Sequence, residues 1–249
     1  MMTHKTRGIV LRAIKYGETS LVVTVFTELF GVQTYMVNGA RSSKKTGNKA
    51  AMYQPASLLD MEVYHYDQKN MQRIKECSRS YLPKEVLSDV VKNSIALFMM
   101  ELLNKTLKQP EQNTDLFYFS EDALQQLDTA PAAIAANFPL FFTLHLSHFL
   151  GFRINDIEPE LVHSESLYLD LLEGNFIAHQ PPHPYFMERE DALITAEFLK
   201  IMQPYELEQV KLNHQKRRIL LGRYLEYYAL HITDFGQMKT VGVLQEILG

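Results

Sequence analysis

The pattern of polar and apolar positions along this 249-residue chain changes period once, near Pro83. Ahead of that point it is a strand pattern. Residues 8–14 are mostly apolar and β-branched, and Tyr16-Gly17-Glu18-Thr19 reads as a turn. Residues 21–27 carry the strongest strand signal, because their β-branched and aromatic side chains suit a pleated surface. The short connection Glu28-Leu29-Phe30-Gly31 leads into residues 32–37 and predicts an antiparallel hairpin, with Gly31 supplying a positive φ. Residues 58–66 alternate, with Leu59, Met61 and Val63 facing one way and Asp60, Glu62 and Tyr64 the other. Asp67-Gln68-Lys69-Asn70 is a turn, and residues 71–77 form a weaker fifth strand. Five strands with a longer connection between the third and fourth predict an OB-fold barrel.

Past Pro83 the period is 3.6. Residues 86–107 place Val86, Val90, Leu97, Met100 and Leu103 near one face, and Gln109-Pro110 ends that helix. Residues 115–127 are a second helix. Residues 132–150 are a third, apolar all round and so expected at a bundle centre, kinked or restarted at Pro139 and capped by Gly151. Residues 153–184 look irregular, with a small hairpin in 167–177 turning at Glu173-Gly174-Asn175. Helix resumes over 187–202 and 208–232, and 239–248 is a last short one. The expected class is α+β and multidomain: an OB-fold domain at 1–82 and a helical domain at 83–249, the latter interrupted by an irregular or small β insertion at about 153–185.

Charge sharpens this division. The first 84 residues carry 13 Lys and Arg against 6 Asp and Glu, whereas the remaining 165 carry 12 against 23. The excess concentrates between Gly39 and Lys49, with Arg41, Lys44, Lys45 and Lys49, and no acid occurs between Glu28 and Asp60. A basic front on an acidic chain points to a polyanionic partner. The single Cys77 excludes an intramolecular disulfide and any zinc site needing two cysteines. The first residues lack the apolar core of a signal peptide. The most apolar run, 140–152, contains His145 and His148 and falls short of a span, so a cytoplasmic location is expected.

The basic loop has the first Gly, the Lys and the Thr of a phosphate-binding loop, at Gly39, Lys45 and Thr46. Lys44 replaces the second Gly, and Gly47-Asn48-Lys49 does not open a helix, so nucleotide hydrolysis is disfavoured. The same cations suit a clamp on nucleic-acid phosphates; the bland alternative is a solvated loop. Tyr16, Phe26, Tyr35, Tyr53, Tyr64 and Tyr66 are candidate base platforms, each as readily a core or surface aromatic. Arg73 and Lys75 on the fifth strand extend a positive stripe with Arg12 if the register allows. His145 and His148 lack further ligands for zinc, and no Ser, His and Asp set sits in a nucleophile context. On the helix 208–232, Lys211, Lys216, Arg217, Arg218 and Arg223 lie beside Ile219, Leu220, Tyr224, Tyr227 and Tyr228. They read as a solvated face of a core helix or, with exposed aromatics, as a second site for phosphates or an acidic peptide.

Several of these pieces together resemble one family. Thr6-Arg7-Gly8-Ile9-Val10-Leu11-Arg12, Tyr16-Gly17-Glu18-Thr19-Ser20, Phe26-Thr27, Gly31, Asn38-Gly39-Ala40-Arg41 and Gln54-Pro55 are similar in order and spacing to the front of the RecO family of bacterial recombination mediators. Phe149-Leu150-Gly151-Phe152 resembles that family's Leu-Gly-aromatic element, and Met238-Lys239-Thr240-Val241 with Leu244 its C-terminal helix start. The resemblance implies a role in DNA repair and recombination after DNA damage. It implies binding of single- and double-stranded DNA, annealing of complementary strands, partnership with RecR, and engagement of the acidic C-terminal tail of single-stranded DNA-binding protein. It further implies help in loading the RecA recombinase and a nucleoid-associated location. It transfers no catalytic site and no cofactor. DNA binding passes to Arg41 and to Lys44 and Lys45. Two departures stand out: Asn38 replaces a common basic residue, and residues 155–184 hold none of the cysteines of the zinc module that many members carry. The competing expectation is an OB-fold adaptor that docks acidic peptides without binding DNA.

Overall fold

The computed structural model describes residues 2–41 and 49–247. The chain divides into two compact units, Met1–Thr129 and Ala130–Gly249. The change from strand to helix near residue 83 therefore falls inside the first unit, whose barrel is followed by two helices.

The strands are β1 (Thr3–Tyr16), β2 (Ser20–Thr27), β3 (Gly31–Val37), β4 (Leu58–Tyr64) and β5 (Gln72–Arg79). They close into a barrel in the order β1-β2-β3-β5-β4. Every pairing is antiparallel except β3 with β5. The five-stranded barrel expected from alternation is present. Its interior is filled by the inward members of each strand, among them Val10, Leu21, Val23, Val25, Tyr35, Leu59, Met61 and Val63. A 3-10 turn, Lys49–Tyr53, adds Tyr53 to this core, and Arg79 holds it by donating from Nη2 to the Ala51 carbonyl at 2.7 Å. At the β2–β3 turn Gly31 has φ +61°, and a Cβ there would run into the backbone of Glu111.

The helices of this unit are α1 (Val90–Thr106) and α2 (Thr114–Thr129). The expected start of the first helix at Val86 is corrected to Val90, for a visible reason. The backbone N–H groups of Lys84, Glu85 and Val86 donate to the Asp128 carboxylate at 2.7–2.8 Å, as does the Tyr81 hydroxyl at 2.8 Å. The helix then starts behind Asp89, whose side chain accepts from the Lys92 N–H at 2.8 Å. Burial alone would raise the Asp128 carboxyl, but these donors outweigh it and hold it below the usual aspartate range.

In the second unit α3 (Ala132–Phe149) is the buried centre and runs continuously past Pro139. A short α4 (Pro159–Val162) precedes β6 (Tyr168–Asp170), β7 (Asn175–Ile177) and β8 (Phe186–Glu188), then come α5 (Arg189–Lys200), α6 (His214–His231) and α7 (Thr240–Ile247). The expected hairpin is β6–β7, and β8 pairs on the other edge of β6. Met187 thus belongs to a strand, opposite Leu169, and the expected helix start there moves to Arg189. Residues 204–209 form a 3-10 turn that begins at Pro204 with a capping box between Gln203 and Glu206. The next helix therefore starts at His214 and not at 208, capped by Asn213 accepting from the Lys216 N–H at 2.8 Å. Where cysteines are absent, the small sheet is braced by Asp170, which accepts from the Leu172 N–H at 2.8 Å and faces His183 at 3.3 Å. Among the described residues no helix is long and apolar enough to cross a membrane.

Candidate nucleic-acid interface

The outside of the barrel wall is built from the residues that alternate with the core. Going along β1, three outward positions matter: Ile9, Arg12 and Ile14, the extra residue at the register shift between Val10 and Arg12 moving the outward set from odd to even positions. The first belongs to a rung Ile9–Phe26–Val32, the second to Arg12–Thr24–Thr34, the third to Ile14–Val22–Met36. The third rung continues through Arg73 on β5 to Tyr64 on β4.

The first rung is closed. Ile9 and Phe26 are 0% and 1% exposed, and Phe26 packs edge-on to Phe117 of α2 at 5.6 Å between centroids. Arg7 beside it is a structural cation. Its guanidinium pairs with Glu28 at 3.2 Å and Glu121 at 2.7 Å and lies 4.8 Å from the Tyr118 ring centre. The hydrogen bond from Arg7 holds Glu28 below the usual carboxylate range, while burial pushes Glu121 up.

The second and third rungs are exposed at Arg12, Ile14 and Arg73 and half-buried at Val22, Thr24, Thr34 and Met36. Arg12 and Arg73 are exposed and make no ion pair among the described residues; Ile14 is 44% exposed. Arg41 is brought to the same end of the barrel, since its N–H donates to the Thr19 carbonyl of the β1–β2 turn at 2.9 Å. Its side chain is exposed and without an ion pair among the described residues, as is Lys49 at the start of the 3-10 turn. Lys44 and Lys45 lie outside the described residues. Lys75 is brought to a different arrangement. It stands at the register shift between Glu62 and Val63, and its Nζ meets Glu62 at 2.8 Å. That hydrogen bond raises the lysine and lowers the carboxyl, so Lys75 is already paired.

Of the candidate platforms, Phe26, Tyr35 and Tyr53 are buried. Tyr16 is 58% exposed beside the β1–β2 turn, and Tyr64 and Tyr66 are half-buried. Tyr66 follows the end of β4 and has Lys69 Nζ 4.3 Å from its ring centre. What residue-type reasoning passed over is the aliphatic rung Ile14, Val22 and Met36. Strand alternation carried the signal, since all three are apolar residues at outward positions.

In the second unit the basic helix is largely tied down. Lys216 meets Asp191 at 2.7 Å and Glu190 at 3.0 Å, which raises it; Arg223 meets Glu226 at 2.7 Å. Arg217 donates to the Leu212 carbonyl at 2.6 Å, and burial lowers its guanidinium. Arg218 alone of the four is exposed with no ion pair among the described residues, at the rim of a crevice lined by Pro139, Leu140, Leu221 and Leu244. The expectation of exposed aromatics beside these cations is corrected. Tyr224, Tyr227 and Tyr228 are buried, and their hydroxyls are used internally, by Thr195 and by the Phe152 and Thr143 carbonyls. Among the described residues no group of three or more His, Cys, Asp or Glu is placed to hold a metal ion.

The geometry is that of a five-stranded OB barrel whose outer wall carries exposed arginines without ion pairs among the described residues, and comparison with known proteins agrees with that fold. The family profile described as Recombination protein O N terminal matches residues 1–81, and that described as Recombination protein O C terminal matches residues 87–158. A protein of Azobacteroides pseudotrichonymphae genomovar. CFP2 named DNA repair protein RecO is 32% identical over 247 residues, covering 99% of each chain. The chain belongs to the RecO family. Other RecO proteins bearing the same name are similarly related: that of Flavobacterium psychrophilum is 32% identical over 246 residues and that of Bacteroides fragilis 33% over 250, each covering 99% of both chains. The RecO resemblance thus extends through the helical unit, where the family motifs are loosest, as well as through the barrel.

Proposed function

We propose that this chain is a DNA repair and recombination mediator that binds single- and double-stranded DNA on the open outer face of its barrel. It anneals complementary strands and, with RecR, helps load RecA onto DNA coated by single-stranded DNA-binding protein. It works through binding alone, with no catalytic step and no bound cofactor. One observation carries the DNA reading: Arg12, Arg41 and Arg73 are exposed and without ion pairs among the described residues, on the outer wall and at one end of the barrel. Arg41 also lies in a stretch, Leu29 to Leu59, that holds no acid. Cations left unneutralised on a strand scaffold attract phosphates, and about three to five such contacts predict a single-strand salt slope of roughly −2 to −4.

A second contact, with the acidic C-terminal tail of single-stranded DNA-binding protein, is favoured at Arg218, because an acidic peptide needs a cation not already paired, and the adjoining crevice offers it further contact. Binding of a labelled oligonucleotide at low salt tests the DNA reading. A strand bound with that salt dependence supports it. Retention of an acidic-tail peptide with no oligonucleotide bound at any salt concentration favours the adaptor reading instead.

A further inference from the structure

The inner face of α6 is buried through Leu220, Leu221, Tyr224, Tyr227 and Tyr228. Gly222 lies on the outer face, is exposed, and a Cβ built on it would meet nothing within 4 Å. Neither packing inside the unit nor a turn calls for glycine there, and glycine is the least favourable helix residue after proline. A glycine in such a place lets another backbone come close. It sits in a crevice lined by Arg218, Ile219, Arg223 and Glu226, with Gln245 of α7. Arg218 and Glu226 each stand four residues from it, so the three make one ridge along the helix surface. Arg218 is exposed and has no ion pair among the described residues. Glu226 accepts from Arg223 at 2.7 Å through Oε2, which leaves Oε1 without a hydrogen bond among the described residues. Ile219 beside them is 41% exposed. We infer that this face pairs with the same face of a second copy of the chain, the two α6 helices crossing antiparallel at Gly222. The pairing goes beyond the DNA-binding reading and does not depend on it.

A two-fold axis at Gly222 sets each residue opposite the one equally far beyond the glycine in the partner. Arg218 then meets the partner's Glu226, and Glu226 the partner's Arg218, so a single contact makes two ion pairs. Each pair lies about 6 Å along the helix from the crossing point, within reach of both long side chains. Ile219 meets the partner's Leu225, a side chain left half-buried in the single chain. Ridges of residues four apart, interdigitated, are the commonest way for two helices to pack. Charge complementarity selects this occupant. An acidic peptide or a phosphate answers Arg218 and is repelled by Glu226, and a basic segment does the reverse. A second copy supplies both signs at matching distances from the glycine. One helix face is smaller than the ~1,200 Å² buried in a stable complex, so the pairing is weak, with a dissociation constant on the order of 10–100 μM. Under the reading proposed above, a pair holds two DNA contacts in one particle, as joining two strands requires.

Sedimentation equilibrium of the full chain, from about 1 to about 300 μM, tests the pairing. The wild-type mass should rise with concentration from 28.8 kDa toward twice that value. Gly222→Gln fills the notch with a better helix former, so pairing should weaken by more than about tenfold while the melting temperature stays at or above that of wild type. Arg218→Glu and Glu226→Arg should each weaken pairing by about tenfold or more when alone. An equimolar mixture of the two should pair to within about threefold of wild type, because each variant then meets opposite charges in the other. Circular dichroism checks the fold of each; should Glu226→Arg not fold, Glu226→Lys takes its place in the mixture. A wild-type mass of 28.8 kDa at every concentration overturns the pairing, as does a folded Gly222→Gln chain that pairs like wild type. A mixture no heavier than its components overturns the two-fold at Gly222. Should the chain stay monomeric while binding an acidic-tail peptide through Arg218, the face belongs to the peptide and pairing is refuted. None of these results bears on oligonucleotide binding by the barrel.

Discussion

Ile9 and Ile14 are the same side chain on the same strand, both on the outside of the same barrel, yet one is 0% and the other 44% exposed. Around Ile9 the structure closes: Phe26 meets Phe117, and Arg7 is held between Glu28 and Glu121. Around Ile14 it stays open, and the arginines there have no carboxylate among the described residues. The difference teaches how one wall serves two purposes. Cations and apolar groups that face a helix are neutralised and buried, and hold the unit together. The same kinds of group facing solvent remain available to a partner.

The comparison breaks most sharply at Phe26. Phe26→Ala should lower the unfolding free energy by about 3–5 kcal/mol, the usual cost of emptying a buried aromatic site. Ile14→Thr should change it by less than about 0.5 kcal/mol. Denaturant melts measure both; similar losses at the two sites would mean that the open face is part of the core.

A second, smaller effect concerns the linker ahead of α1. The depressed pKa of Asp128 means that its contribution is present above the ordinary aspartate value near 4. It is lost as pH falls through the lower, folded value. Asp128→Asn should cost about 1–3 kcal/mol at neutral pH and flatten this acid-dependent limb. Denaturant midpoints across a pH series check it; an unchanged acid limb in the variant would remove Asp128 as its source.

The strands were legible because each has one side in the core, which leaves a period of two in the sequence whether or not anything covers the other side. Which outer rung is covered was not legible. Ile9 and Ile14 read alike, and it takes the helices, with Phe117 of α2 against Phe26, to separate them. Asp128 was equally silent, since its partners lie 42 to 47 residues away and no local signature announces them. Lys75 read as part of a positive stripe because Glu62 is not its neighbour in sequence; the register shift in β4–β5 brings them together. The tyrosines of α6 were legible in principle. Tyr224, Tyr227 and Tyr228 are spaced three and four apart, the spacing of a buried helix face, and they are buried.

The account depends most on the open face being the DNA contact, and one measurement addresses that directly. Oligonucleotide affinity is measured across a salt series for wild type and for the variant with Arg12, Arg41 and Arg73 all changed to Ala. Removing three phosphate contacts should weaken binding at low salt and flatten the slope by roughly two units. An unchanged slope in the folded variant would contradict the claim, because the strand would then be held somewhere else.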